Sequence, residues 1–353
     1  MKCNSYSAVA LVVVAGSVLG VAPRLQAQSP STAPAAEMPT NSSAHLAQLL
    51  PSLDEKTRRG LALQVALDRA GFSPGEIDGA PGANTDRAMA AFKAARGTTE
   101  FGEAYDDPVV TYTISEQDAA GPFTDNIPTD LVEKSKLPSL SYASVLELLG
   151  ERFHASPNLL QRLNPGSTFA AGEKIVVPNV EPFTAPAPKT EPAPQIAEKT
   201  TEASKASADN STADAPDRAV TVTVTERTKT LQVQDADGNV LFHAPVTVGS
   251  ENDPLPVGEW KVNGVGYSPV FHYNPDLFWD ADPSDAKAKI APGPNNPVGV
   301  VWIDLSKEHY GIHGTPEPSR IGHTESHGCI RLTNWDAVRV AALVRPGTKV
   351  ILR

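Results

Sequence analysis

The chain has 353 residues, more than one ordinary domain holds, and roughly two or three domains is the prior for that length. Hydrophobic residues make up 40% and charged residues 20%, which argues against wholesale disorder, and 30 Lys and Arg against 41 Asp and Glu leave a net charge of −11 that argues against a phosphate-backbone binder. The 32 prolines exceed the usual share of about 5% and belong in linkers or rigid loops.

Positions 1–27 read as an export signal: Lys2 is a minimal positive start, 8–22 is an apolar run, and Leu25-Gln26-Ala27 is a small-residue cleavage site. The run is shorter than the roughly 20 residues that span a bilayer, so no membrane span is expected in the mature chain. Cleavage also removes Cys3 and leaves Cys329 as the mature chain's one cysteine, without a partner for a disulfide. An unpaired thiol in an oxidising compartment must be fully buried or reactive.

After a Ser/Pro/Ala/Thr-rich stretch at 28–43, a first module covers 44–97. A helical run holding Leu61, Leu63, Val65, Ala66 and Leu67 stops at Gly71, turns follow at Ser73-Pro74-Gly75 and Asp78-Gly79, and a second helix spans 85–95 with Ala88, Met89 and Phe92 inward. Leu63 to Leu67, Gly71-Phe72, Ile77-Asp78-Gly79, Gly82, Thr85, Ala88 and Phe92 together resemble the three-helix peptidoglycan-binding domain.

A second module covers 110–180, with a strand near Tyr112-Thr113-Ile114, helices at 145–153 and 157–163, and a closing strand at 174–178. Leu159-Leu160, Asn164-Pro165-Gly166 and the run from Gly172 to Pro178 resemble the second half of a LysM module, a β-α-α-β sugar-binding unit. Its first half diverges: 115–142 replaces a short turn, which leaves glycan binding and a spacer role both open. Positions 181–217 are Pro, Ala, Thr, Glu, Lys and Ser, a linker that as a flexible coil would span roughly 35 Å and suit two parts working at separated points.

The remainder, 218–353, reads as mainly β, a small sandwich or open barrel. Val220, Val222 and Val224 alternate, Leu231 and Val233 follow, Asp237-Gly238 is a hairpin turn, and further strands fall at 260–262, 299–305 and 350–352. One helix near the C-terminus takes Asn334 as its cap and Ala337, Val338, Ala341 and Val344 as its apolar stripe.

His313, His323, His327 and Cys329 crowd into this domain. Zinc is weighed first and set aside: Pro316 and Pro318 break any helix, and His323-Thr324-Glu325-Ser326-His327 lacks the Glu that follows the first His in metalloproteases. A cysteine nucleophile fits better. Tyr310-Gly311-Ile312-His313-Gly314-Thr315 ends a strand-like segment with a histidine that can face a neighbouring loop. Gly328 permits a tight turn whose amides, with that of Cys329, can face an oxyanion. Arg331 supplies charge to lower the thiol pKa or grip a substrate carboxylate.

His313-Gly314-Thr315 followed by Ser326-His327-Gly328-Cys329-Ile330-Arg331-Leu332 resembles the signature of the L,D-transpeptidase (YkuD) catalytic domain, and Pro256-Val257-Gly258 and the run from Gly293 to Gly299 match further landmarks. The resemblance implies Cys329 as nucleophile, His313 as proton acceptor and donor, and the Gly314 carbonyl as the group orienting the imidazole. It implies no cofactor and no metal. Ser326, His327 and Arg331 stand as substrate-binding or supporting residues, His327 also reading as a brace of the turn, while His323 reads as exposed loop. The implied reaction is attack on the third residue of a peptidoglycan tetrapeptide stem, loss of D-alanine, and transfer to an amine. A second stem would give a 3-3 cross-link, and an outer-membrane lipoprotein lysine an anchor. An L,D-carboxypeptidase, a lipoprotein-stem hydrolase and a non-catalytic wall-binding scaffold are the rivals. The implied location is the periplasm, at the cell wall, with no nucleic-acid partner. The aperiodic segment 267–298, with Phe271, Tyr273, Phe278 and Trp279, reads as a lid over the cleft or as a set of core anchors.

Overall fold

The computed structural model describes residues 47–48, 50–101, 107–187, 219–282 and 284–353. The predicted export signal, the stretch 28–43 and positions 188–217 of the predicted linker lie outside the described residues. Among the described residues no helix is long and apolar enough to cross a membrane.

The first module is a pair of helices, α1 (Glu55–Arg69) and α2 (Ala83–Arg96). Asp54 caps α1 by accepting from the Thr57 amide at 3.0 Å, and Gly71, at φ 82°, ends it in the left-handed region that glycine tolerates best. Gln64 explains the Ile77-Asp78-Gly79 string. Its carbonyl accepts from the amides of Asp78 (3.2 Å) and Gly79 (2.8 Å), and its amide donates to Asp78 (2.9 Å), so one buried side chain pins the turn to α1.

The second module has the two strands and the two helices read from sequence, with two further short helices between them. Strand β1 (Val109–Thr113) is followed by two short helices, α3 (Glu116–Ala120) and α4 (Leu131–Lys134), within the divergent 115–142 stretch. Then come α5 (Val145–Arg152), α6 (Pro157–Leu163) and β2 (Lys174–Pro178), which pairs antiparallel with β1. Leu149, Leu159, Leu160, Ile175 and Val177 form its buried centre.

The C-terminal domain is mainly β, as its alternating valines demand. Its strands are β3 (Val220–Thr225), β4 (Thr230–Asp235), β5 (Val240–Pro245), β6 (Gly258–Tyr267), the small hairpin β7 (Phe271–Tyr273) with β8 (Ala288–Ile290), then β9 (Val301–Leu305), β10 (Gly311–His313), β11 (Ile330–Arg331) and β12 (Lys349–Leu352). Eight of them form one sheet in the order β11-β10-β9-β6-β12-β3-β4-β5. The two ends of that sheet meet: Thr247, just past β5, exchanges backbone hydrogen bonds with Arg331 of β11 at 2.9 and 3.0 Å. The sheet is thus an open barrel that closes at one bridge, around a core of Val222, Val224, Leu231, Val233, Ile303, Ile312 and Ile330 against helix α7 (Asn334–Leu343). The cap of α7 is Thr333 rather than Asn334: the Thr333 hydroxyl accepts from the Asp336 amide at 3.2 Å, and the Asn334 side chain is engaged elsewhere.

The expectation of two parts working apart on a tether is corrected by the packing, because all described residues fall in one compact unit. Asp68 of α1 accepts two hydrogen bonds from the Arg339 guanidinium of α7, at 3.0 and 3.1 Å, and pairs with His154 between α5 and α6 at 3.1 Å. Burial works against ionisation of Asp68, yet His154 and Arg339 hold its carboxyl well below the usual range. Trp335 stacks on His154 at 5.1 Å, and Ser73 donates to Asp336 at 2.8 Å. Residues 71–73 also add backbone hydrogen bonds to His243 on edge strand β5, covering an edge that would otherwise invite association. The segment predicted to open the linker is anchored too: Phe183 is buried in the barrel core and Ser268 donates to the Pro186 carbonyl. A flexible tether does not bury a phenylalanine.

Three acids at these junctions have raised pKa values, mainly through burial: Glu151 to about 8, Asp336 and Glu76 to about 7. Each binds its proton more tightly when folded, so the stability it contributes is complete below the unfolded value of roughly 4 and is lost as pH rises through the folded one. Burial depresses His313 to about 3 and His243 to about 4. Their opposite effect is exhausted above the ordinary histidine value of about 6.5. The calorimetric melting temperature of the chain should therefore fall between about pH 6.5 and 8.5, with Asp336→Asn flattening the decline. A melting temperature rising across that window would show that the acids are ionised in the folded chain.

Candidate active site

The site is built by the short parallel pairing of β10 and β11, in which Ile312 faces Ile330 and His313 faces Arg331. Side chains alternate along a strand, so the two fully buried isoleucines turn to the barrel core while His313, Arg331 and Cys329 share the opposite face. Trp302 of β9, the register partner of His313, stacks on its imidazole at 5.5 Å. Gly311 is required beneath that indole, since a methyl group there would collide with it.

The His313 Nδ1 lies 2.7 Å from the Gly314 carbonyl. A carbonyl only accepts, so Nδ1 carries the proton and Nε2 is left as the basic nitrogen. Burial pushes the imidazole down to about 3, the Arg331 charge adding to the effect, so His313 is neutral at physiological pH.

Cys329 ends a tight turn. The Ser326 hydroxyl donates to the Cys329 carbonyl at 2.6 Å, and the Ser326 amide donates to Val248. Gly328 sits at φ 93° under the Tyr310 ring, where any side chain would collide. The thiol donates to the His309 carbonyl at 3.7 Å, and His309 itself holds a positive φ of 68°, an uncommon backbone state for a residue other than glycine. Among the described residues no hydrogen bond joins Cys329 to His313. The thiol pKa is raised, not lowered as the neighbouring arginine led the sequence reading to expect. The protein crowded round the sulfur outweighs the Gly311 amide and Arg331, which pull the other way, while Asp253 adds to the rise. Arg331 is itself pushed down by burial, its Nε is enclosed without a hydrogen-bond partner, and the carboxylates of Glu317 and Asp280 pull the other way.

His327 points to the 267–298 segment: its Nε2 is 2.7 Å from Asp280, and the Phe278 ring meets it edge-on at 5.0 Å. The core-anchor reading of that segment holds for part of it. Tyr273 is a buried anchor, packed with Ile290 and with Leu140 of the second module, whereas Trp279 is 60% exposed beside the site. His323 is exposed. Among the described residues no group of three His, Cys, Asp or Glu side chains converges as a metal site. Sequence reasoning missed Trp302, Asp280 and the His309 carbonyl. Only the glycine at 311 hinted at them, as a place where something bulky comes close.

With both partners neutral at rest, alkylation of Cys329 by iodoacetamide should be slow at neutral pH and titrate above the ordinary thiol value of about 8.5. An alkylation midpoint well below that value would show a resting thiolate–imidazolium pair instead.

Residues 217–352 match the family model of the L,D-transpeptidase (YkuD) catalytic domain. The YkuD protein of Bacillus licheniformis, named as an L,D-transpeptidase, is 52% identical over 59 residues, which cover 17% of this chain and 36% of that protein. The YqjB protein of Bacillus subtilis, named likewise, is 31% identical over 137 residues, covering 37% of this chain and 69% of that protein. This chain therefore spans about a third of the YkuD relative and over two thirds of YqjB. A solved L,D-transpeptidase from Mycobacterium smegmatis aligns with 38% of this chain and 59% of its own, at 21% identity and a TM-score of 0.32. With its catalytic-domain match and its extended likeness to YqjB, the chain belongs to the YkuD family of L,D-transpeptidases.

Proposed function

We propose that this chain is a cell-wall L,D-transpeptidase that acts through a Cys329 thioester. The observation that carries the reading is the neutral His313 imidazole, locked by Gly314 with Nε2 free, on the same strand face as Cys329. A neutral thiol next to a neutral base suits concerted activation. As Sγ attacks the carbonyl carbon of the third stem residue, its proton passes to Nε2, and the amides of Gly328 and Cys329 receive the oxyanion. The carbon–nitrogen bond then breaks, His313 returns the proton to the departing D-alanine amine, and the acyl group stays on sulfur. An acceptor amine attacks the thioester and gives its proton to His313, the carbon–sulfur bond breaks, and His313 returns that proton to the departing Cys329 sulfur. Arg331, enclosed with an unpaired Nε, would grip a stem carboxylate.

The acceptor is either the side-chain amine of another stem, giving a 3-3 cross-link, or a lipoprotein lysine. The N-terminal helical module would hold the wall, and a groove of about 650 Å³ in the second module, lined by Gln161, Asn164, Ser167 and Phe169 among others, would take glycan. Such a protein works outside the cytoplasmic membrane, in the periplasm.

Incubating the purified chain with tetrapeptide muropeptides and weighing the products tests this reading. Dimers mean transpeptidase, tripeptides alone mean a carboxypeptidase with the same nucleophile, and unchanged material means a scaffold. Cys329→Ala should abolish turnover while the full chain still sediments with insoluble peptidoglycan. His313→Ala should lower the rate by at least about 100-fold, and a larger loss in His327→Ala would move the base assignment to His327.

A further inference from the structure

The reading of His313 as the base makes the position of the Gly314 carbonyl decisive, and the packing behind that carbonyl crosses a module boundary. Gly314 lies against the Asn334 side chain so closely that a methyl group on it would collide with Asn334 Oδ1. A methyl on Gly299, at φ 61°, would meet the same oxygen and the Gly314 backbone. Asn334 Oδ1 also accepts from the Val300 amide at 3.2 Å. The other end of the side chain, Nδ2, donates to Glu151 Oε1 at 2.8 Å and to the Pro294 carbonyl at 3.2 Å. Glu151 belongs to α5 of the second module, is 6% exposed, and has its second oxygen held by the Tyr142 hydroxyl at 3.0 Å.

An asparagine amide keeps one orientation only when both ends are specified, a donor on its oxygen and an acceptor on its nitrogen. Val300 specifies the first from within the barrel. Glu151 helps to specify the second from outside it. We propose that Glu151 is a positioning residue for His313: it fixes the Asn334 amide, and through that amide the Gly314 backbone whose carbonyl orients the imidazole. This rests on the function proposed above. The second module then completes the catalytic site, its carboxyl reaching Asn334 from outside the barrel.

Burial raises Glu151 to about 8, so the contact works with a neutral carboxyl. Glu151→Gln preserves this: its amide oxygen can accept from Asn334, and its NH2 can donate to the Tyr142 oxygen. Glu151→Ala removes the acceptor, and Glu151→Met fills the space without one, serving where the alanine variant does not fold. The test uses the full chain with 15N-labelled histidine, reading the His313 ring nitrogens by NMR (assigned with His313→Gln) and the kcat and KM for D-alanine release from a tetrapeptide muropeptide. In the acceptor-less variants kcat should drop by up to about 100-fold, as misplacement of a catalytic group by an ångström allows. KM should stay within about twofold, since ground-state binding is untouched. The His313 ring should lose its single Nδ1-protonated tautomer, and Glu151→Gln should recover both readouts. A folded Glu151→Met with the wild-type tautomer and kcat overturns the proposal. So does a Glu151→Gln variant as impaired as Glu151→Met. A wild-type chain inactive on muropeptides sinks the functional reading instead, and the tautomer alone then decides whether Glu151 positions His313.

Discussion

Two residues of parallel pairing between β10 and β11 support the rest of this site. The register that sets Ile312 beside Ile330 sends both into the barrel core and leaves His313, Arg331 and Cys329 on the other face. The same β11 closes the barrel through Thr247, so the strand that carries the reactive end of the chain is held from both sides. A one-residue slip would turn the isoleucines out and the histidine in, and burying two isoleucines is worth roughly 3–6 kcal/mol against that. Cys329, the candidate nucleophile just before β11, is placed by the burial of its neighbour Ile330.

Electrostatics in the cleft follow from the same burial. A histidine enclosed beside a guanidinium is kept neutral, and a thiol crowded by protein is kept protonated, although an amide and an arginine lie close by. Desolvation outweighs the local charge here because it penalises every ionised form at once, while each favourable contact compensates only one. A protonated thiol is a weak nucleophile, so such a pair is unreactive at rest.

The N-terminal modules reach the catalytic domain at its working parts. Asn84 of α2 donates to the Ile321 carbonyl in the loop that joins His313 to Cys329. Leu140, in the stretch that departs from a LysM pattern, hydrogen-bonds through its backbone to Pro292 and Asn295 and packs on the β7–β8 hairpin. That hairpin continues to Asp280, the partner of His327. The divergent stretch therefore braces the segment that carries Asp280 to His327, a role that gives its extra length a physical reason.

Local periodicity was enough to read the elements. The strand at Lys174–Pro178 and the helix at Pro157–Leu163 fall where apolar spacing and proline placement set them, and alternation marked β3 and β4. The candidates Cys329 and His313 were legible as well, because glycines on their flanks mark places where backbone must turn tightly or pack closely, and such chemistry needs few neighbours to be recognised. What sequence could not show was every interaction between groups far apart along the chain. The cap of α7 moved from Asn334 to Thr333 because the asparagine oxygen that a cap would use accepts from the Val300 amide, 34 positions away. The thiol pKa rose because burial, a sum over all surrounding atoms, exceeds what the adjacent arginine contributes. The N-terminal modules dock on the barrel because Asp68, Arg339 and His154 meet in one buried cluster. Sequence alone determined the candidate residues and which local elements hold them, since both depend on near neighbours. Only the tertiary structure decided their protonation states and who orients them, since those depend on who is left without water.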